Sequence, residues 1–341
     1  MFSYIGRLSG IALGAAAFVA ASFGAAQPAS AQEIVARFSY HWAPAHQSAI
    51  FAQKFADRVN ERGKGKIRIE TFPSGQLFGI REVMGALTSG AVELGGVVGV
   101  VSFPPVDKNY NIEGMPGMWK SFDHLRTFFN EDETGQRIWK NILDRPRTQF
   151  IGYNPTGPYM TFSAVRPLTT PESFEGLKAR YLAGIERPRW SALGASAISL
   201  PTREVYTSLQ NGMIDTLNTV PAAIKAYSWW EYLKYGQLPS LFYADAFTLA
   251  NKAWYDGLPD DVRQIIDEVG AEISVESTKS IMDFSANVLE EFTERGGEVD
   301  TLTEEQLAAF TKINEEKVIP ELGDFIDADV IAAAKAFVAK N

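Results

Sequence analysis

The stretch FEGLKARYLAG, Phe174 to Gly184, holds the side chain best suited to recognising a charged small molecule. Leu177 to Leu182 reads as a short apolar strand entering a core, with Arg180 deep within it. Side chains alternate across a strand, so Lys178 and Arg180 share one side while Leu177, Ala179 and Tyr181 share the other. Lys178, at the strand's start, reads as surface. A guanidinium held inward offers a planar fork of donors that matches both oxygens of a carboxylate, and its charge persists near neutral pH. The alternative is an internal ion pair with a nearby Glu or Asp, because an unmatched buried cation is costly.

Covalent chemistry has no comparable set of residues. The chain has three histidines and no cysteine. His41 and His46 are five apart on a strand-to-helix loop, which is not the spacing of a helical metal pair. There is no GxSxG elbow, no Walker loop and no GxGxxG after a strand. The carboxylates of DDVRQIIDE lie on an amphipathic helix and read as a solvated face. No acid, base and nucleophile come together, so the chain reads as a binder and not an enzyme.

The elements that must position Arg180 alternate strand and helix. IVARFSY is a strand, followed by a helix starting near His46 with Phe51, Ala52, Phe55, Ala56 and Val59 on one stripe. KIRIETF is a strand, PSGQLFG a loop, IREVMGALTSG a helix closed by Gly90, and VELGGVVGVV a buried strand. This βαβαβ half implies a mainly parallel sheet. After TQFIGYN the pattern returns as LKARYL, a helix around Pro188 to Leu193, AISL, REVYTSLQNG and MIDTLNTV. From Pro259 to about Arg295 an apolar helical pattern runs without proline, giving one very long helix or two with a kink near Gly270. ADAFTLANKAW just before it reads as a strand crossing back to the first half.

The expected fold is therefore α/β with two interleaved domains and a long helix spanning both. The boundaries are 32–155 with 245–284, and 156–244 with 285–341. Residues 1–31 read as a secretory signal: Arg7, the apolar run IALGAAAFVAASFGAA, and Ala29-Ser30-Ala31 as the cleavage site. The expected location is a periplasm, without stable membrane insertion after cleavage. Formal charge is -9 and becomes -10 once Arg7 is removed. That balance argues against a nucleic-acid partner, but one pocket arginine still suffices for a small anion.

Several longer stretches carry a resemblance: RIETFPSGQLFGIREVMGALTSGAVELG, PLTTPESFEGLKARY, LGASAISLPTREVYTSLQNGMID, YSWWEYLKY and ANKAWYDGLPDDVRQII. Together, over about Ile34 to Gly297, they resemble the DctP-type solute-binding proteins of TRAP (tripartite ATP-independent periplasmic) transporters. The resemblance implies a two-domain periplasmic binding protein with a ligand cleft, capture of a small organic acid, and delivery to TRAP membrane subunits. It also implies that Arg180, at the arginine of the GLK-x-R strand, grips the substrate carboxylate. A binding protein for an ATP-driven importer and an enzyme on a similar fold are the competing classes.

Departures from the family pattern bear on the ligand. Where many relatives carry a second arginine, this chain has GPYMTFS, around Tyr159 and Met160. Where sugar-acid binders offer a carboxylate, it has Val97, Val98 and Gly99. Where metal-holding members show Glu-Trp, it has Asn218 and Thr219, so no metal or other cofactor is expected. His41 and Trp42 end the first strand at the cleft mouth, where capping or packing is the competing role. Tyr159 and Met160 could equally be core. Arg203 opens the REVYTSL helix, where a positive charge opposes the dipole, so either an anion partner or solvent exposure explains it. Trp229 and Trp230 read as a packed helix. The resulting expectation is a cleft poor in hydrogen-bonding groups that takes a monocarboxylate with an apolar or aromatic body, with a diacid reaching Arg203 as the alternative.

Overall fold

The stripe of Phe51, Ala52, Phe55, Ala56 and Val59 is buried along the helix Gln47–Arg62. It packs on the first of two sheets in the computed structural model, which describes residues 32–341. The signal segment read at 1–31 lies outside the described residues. The strands are β1 (Ile34–Tyr40), β2 (Ile67–Phe72), β3 (Leu94–Val98), β4 (Thr148–Tyr153), β5 (Gly157–Ser163), β6 (Lys178–Tyr181), β7 (Ser196–Ser199), β8 (Thr216–Thr219), β9 (Tyr235–Ala244), β10 (Ala246–Asn251) and β11 (Glu298–Thr301). One sheet has the order β2-β1-β3-β10-β4, the other β11-β9-β5-β8-β6-β7. The fold is α/β with two lobes, one on each sheet.

The first sheet is less parallel than its βαβαβ start implies. β1 pairs parallel with β2 and β3, but β10 runs antiparallel to both β3 and β4. The reason lies in the connection. β9 belongs to the second sheet, and with Asp245 alone between them the chain passes straight into β10 of the first. A strand arriving from the other lobe is not bound to the direction that helical crossovers impose. The pattern VELGGVVGVV also ends sooner than expected: β3 stops at Val98, and Gly99–Ser102 turns helical.

Asp260–Glu294 is one helix of 35 residues, with Asp260 and Asp261 in its first turn, where the helix dipole favours negative charge. Gly270 does not break it. A Cβ there would come within 2.4 Å of the Ile151 carbonyl oxygen, and one on Gly152 within 2.6 Å of the Gly270 carbonyl oxygen. The two glycines let helix and β4 touch backbone to backbone. Among the described residues, no helix is long and apolar enough to cross a membrane.

Candidate functional site

The carboxyl-terminal ends of β1, β3, β6 and β8 point toward one small enclosed space, as the open edge of an α/β sheet favours. After β1 come His41 and Trp42, then His46, whose Nδ1 accepts from the Ser48 N–H (3.1 Å) and caps the helix Gln47–Arg62. Val98 ends β3, Arg180 lies in β6 with Leu182 just beyond, and Thr219 and Val220 close β8. Ile80, Thr156, Tyr159, Thr202, Ala223, Tyr227 and Trp229 complete the wall. The enclosed volume is about 40 Å³, enough for a water molecule or so. An organic acid is larger than this space, so the wall must widen to admit one. Leu182 also borders a groove of about 710 Å³ on the outer side.

Arg180 is 1% exposed. Its Nε donates to the Leu200 carbonyl (3.0 Å), while Nη2 has no hydrogen-bond partner among the described residues. The guanidinium lies beside the Tyr159 hydroxyl and near Glu186. Burial lowers the Arg180 pKa, and Tyr159 and Glu186 partly offset it. Burial likewise raises the Tyr159 hydroxyl. His46 is brought down to about 3 by burial, and His41 to about 3 by burial and by His46, although His41 keeps some contact with solvent. Both imidazoles are therefore neutral near pH 7, and Arg180 is the only cation lining the cavity among the described residues.

The wall is richer in hydrogen-bonding atoms than its sequence suggests. His41 Nδ1, Trp42 Nε1, the Tyr159 hydroxyl, Arg180 Nη2 and Trp229 Nε1 are all buried without partners among the described residues. Buried polar atoms are ordinarily satisfied. Five unsatisfied ones around a single space, most of them donors, suit an acceptor-rich anion. Apolar faces of Trp42, Ile80, Val98, Leu182, Val220 and Trp229 supply the rest of the wall.

Of the residues singled out from the sequence, Arg180, His41, Trp42, Val98, Tyr159 and Thr219 meet at this cavity. Met160 does not: it is fully buried one step along β5 from Tyr159, and the pleat turns successive side chains apart. Asn218 is likewise absent from the wall, because its amide is spent inside the second lobe, donating to Glu186 Oε2 (2.9 Å) and accepting from Thr161 Oγ1 (2.9 Å). Arg203 lies outside as well, with a side chain 76% exposed and Glu204 Oε1 3.8 Å away. Solvent satisfies that cation. Trp229 falls in a single 3-10 turn, Trp229–Glu231, and lines the cavity, whereas its sequence neighbourhood suggested only packing. Tyr227, Thr156 and Thr202 were also missed. They sit on connections with no periodic pattern that could have marked them.

Two sets of bonds cross between the lobes beside the cavity. The Tyr227 hydroxyl accepts from the Ala43 N–H (3.2 Å) and donates to the His41 carbonyl (3.3 Å). Arg81 Nη2 donates to the Leu182 carbonyl (3.1 Å) and to Ser199 Oγ (2.7 Å). Among the described residues no group of three or more His, Asp or Glu side chains could hold a metal ion.

Comparison with known proteins agrees with this architecture. Residues 38–320 match the DctP model, described as bacterial extracellular solute-binding protein, family 7. The chain is 28% identical over 337 residues to the C4-dicarboxylate-binding periplasmic protein DctP of Rhodobacter capsulatus, covering 98% of this chain and 99% of that one. Among solved structures, it is similar to a TRAP periplasmic solute-binding protein from Shewanella oneidensis with bound succinate. The TM-score is 0.81 at 22% identity, over 90% of this chain and 99% of the other. It is similar also to a sugar acid binding protein from Advenella mimigardefordensis in complex with galactonate, with a TM-score of 0.82 at 19% identity, over 91% and 99%. The chain belongs to the DctP family, family 7 of the bacterial extracellular solute-binding proteins, the periplasmic binding components of TRAP transporters.

Proposed function

We propose that the cleft captures an organic acid whose carboxylate pairs with Arg180, and that the loaded protein delivers it to TRAP membrane subunits without covalent change. The observation that carries this reading is an Nη2 without a hydrogen-bond partner among the described residues, on a guanidinium that is 1% exposed. A carboxylate supplies what that group lacks, and in a closed, dry cleft the pair is strong only because it is well matched. The relatives named above are described with C4-dicarboxylates, succinate and galactonate, all organic acids.

The preferred ligand is a compact monocarboxylate with an apolar or aromatic body and an oxygen next to the acid group, such as a 2-oxo acid. Its body covers Trp42, Val98 and Trp229, gaining about 25 cal/mol per Å² of apolar area buried. Its second oxygen meets the indole N–H groups and the Tyr159 hydroxyl. His41 and Thr219 complete the contacts. The lobes that close on it are 32–155 with 245–284, and 156–244 with 285–341, moving about the β9–β10 crossing and the long helix.

A diacid is the second reading. Its support is Arg81, whose charge adds to the effect of burial in lowering the Arg180 pKa. That role replaces Arg203: both side chains are exposed, but Arg81 reaches the carbonyl of cavity-lining Leu182, whereas Arg203 lies beside its neighbour Glu204. Isothermal titration of 2-oxoisovalerate and phenylpyruvate against succinate and galactonate separates the readings. The monocarboxylates bind more tightly if the first is right, and tight succinate binding lost on Arg81→Ala would replace it with the second.

A further inference from the structure

We propose that Arg81 is the closing latch of the cleft: reaching over from the first lobe, it holds the two segments of the second lobe that position Arg180, and so sets how long a bound acid stays. The inference rests on the reading that Arg180 receives the ligand carboxylate.

Arg81 follows Ile80, a residue of the cavity wall, in the turn that leads into the helix Val83–Ser89. The Glu82 side chain steadies that turn, its Oε2 accepting from the Gly79 N–H (2.8 Å). From there Arg81 Nη2 crosses to the second lobe, donating to the Leu182 carbonyl (3.1 Å) and to Ser199 Oγ (2.7 Å). The two acceptors bracket the anchor. Leu182 stands two residues after Arg180, and Ser199 stands just before Leu200, whose carbonyl takes the Arg180 Nε–H (3.0 Å). In the parallel pair of β6 and β7, Arg180 lies opposite Ile198 and Tyr181 opposite Ser199. One side chain of the first lobe therefore grips the ends of both strands where the anchor sits.

The grip lies on the partition between the cavity and the outer groove of about 710 Å³. Ile80 lines the cavity, Arg81 and Ser199 line the groove, and Leu182 lines both. Arg81 thus ties the Ile80 wall of one lobe to the Leu182 wall of the other, from outside the space the ligand fills. The Leu182 peptide is held from its own lobe as well, its N–H donating to Glu186 Oε1 (3.1 Å). Arg81 itself is exposed, so water competes for its two bonds and they can form and break as the lobes move. Burial lowers the Arg180 pKa and the Arg81 charge adds to that effect. A carboxylate on Arg180 offsets the repulsion between the two cations, so a loaded cleft latches more firmly than an empty one.

Stopped-flow tryptophan fluorescence tests the latch on the purified protein, since Trp42 and Trp229 lie in the cavity wall. The probes are 2-oxoisovalerate, a monoacid, and succinate, a diacid. Arg81→Ala speeds dissociation of both about tenfold, leaves association no slower, and leaves the unliganded melting point near wild type. Ser199→Ala speeds dissociation less, and the double variant releases no faster than Arg81→Ala alone, because the serine acts through the arginine. Unchanged dissociation from a folded Arg81→Ala protein would overturn the proposal, as would effects of the two substitutions that simply multiply. An effect on succinate alone would also overturn it and make Arg81 a contact of the diacid. If Arg81→Ala does not fold, Ser199→Ala decides: faster release at an unchanged melting point supports the latch, and wild-type release overturns it. Arg180→Ala tests the anchor separately. Undiminished binding by that variant, or failure of both acids to bind the wild type, would overturn the anchor reading itself and this inference with it.

Discussion

Two arginines largely shielded from solvent, one in each lobe's territory, are treated in opposite ways. Arg126 is fully matched: Nε and Nη2 donate to the two oxygens of Asp245 (2.6 and 3.0 Å), Nη1 donates to Thr278 Oγ1 (2.8 Å), and the guanidinium lies 3.9 Å from the Tyr153 ring centre. Asp245 is the residue between β9 and β10 and Thr278 belongs to the long helix, so Arg126 pins the crossing strand to the helix. Arg180 is more deeply buried but, among the described residues, has one backbone carbonyl and no partner for Nη2. The residue type is the same, and the difference in partners separates a clasp from a receptor. An unfilled fork at a cavity wall is placed to meet something that enters the cavity.

The largest expected effect breaks the clasp. Arg126→Ala leaves the Asp245 carboxylate, 1% exposed, without its partner, a loss of about 3–5 kcal/mol. Urea unfolding of the variant should show it directly. Arg180→Ala removes a cation that has no matched partner, so the unliganded protein should change by about 1 kcal/mol or less. Equal losses in the two variants would erase the distinction.

An effect confined to acid pH concerns the cleft wall beside Arg180. The folded pKa of His46 is about 3, below the value near 6.5 expected in the unfolded chain. Between those values the unfolded chain binds a proton that the folded chain does not. Stability conferred by neutral His46 is therefore complete above about pH 6.5 and is lost as pH falls toward 3, by about 1.4 kcal/mol per pH unit within the window. His46→Asn, which keeps a capping side chain, should flatten the pH dependence of the urea midpoint. An unchanged slope would mean that His46 is solvated.

Smaller still is the bond across the lips of the cleft. Tyr227→Phe removes the hydroxyl that joins Ala43 and His41 and should weaken ligand affinity by about 1 kcal/mol through loss of the closed form. Small-angle scattering with saturating 2-oxoisovalerate should show a smaller radius for the wild type, with the variant needing more ligand to reach it.

Much of the framework was legible because periodic patterns encode it. The stripe of the helix Gln47–Arg62, the uninterrupted run to Glu294, and a cation inside a short apolar strand all follow from local geometry. What escaped depends on contacts between distant segments. Gly270 read as the place where one long helix could instead be two with a kink, because a lone glycine weakens a helix, and only the approach of Ile151 reveals its packing role. Asn218 read as a ligand contact because it ends a strand, yet Glu186 takes its amide first. Glu186 itself is one carboxylate in a turn, and nothing in GIERPRW announces that it accepts from the Leu182 and Ala183 N–H groups and from Asn218. The five unpaired polar atoms of the wall come from four segments that meet only in the folded chain.

The central claim is that Arg180 is kept for a carboxylate, and titration of Arg180→Ala with the tightest-binding acid, beside its unliganded melting curve, tests it most directly. The account predicts a melting point close to wild type and an affinity lower by about 2–5 kcal/mol. Wild-type affinity in a well-folded Arg180→Ala protein would contradict it.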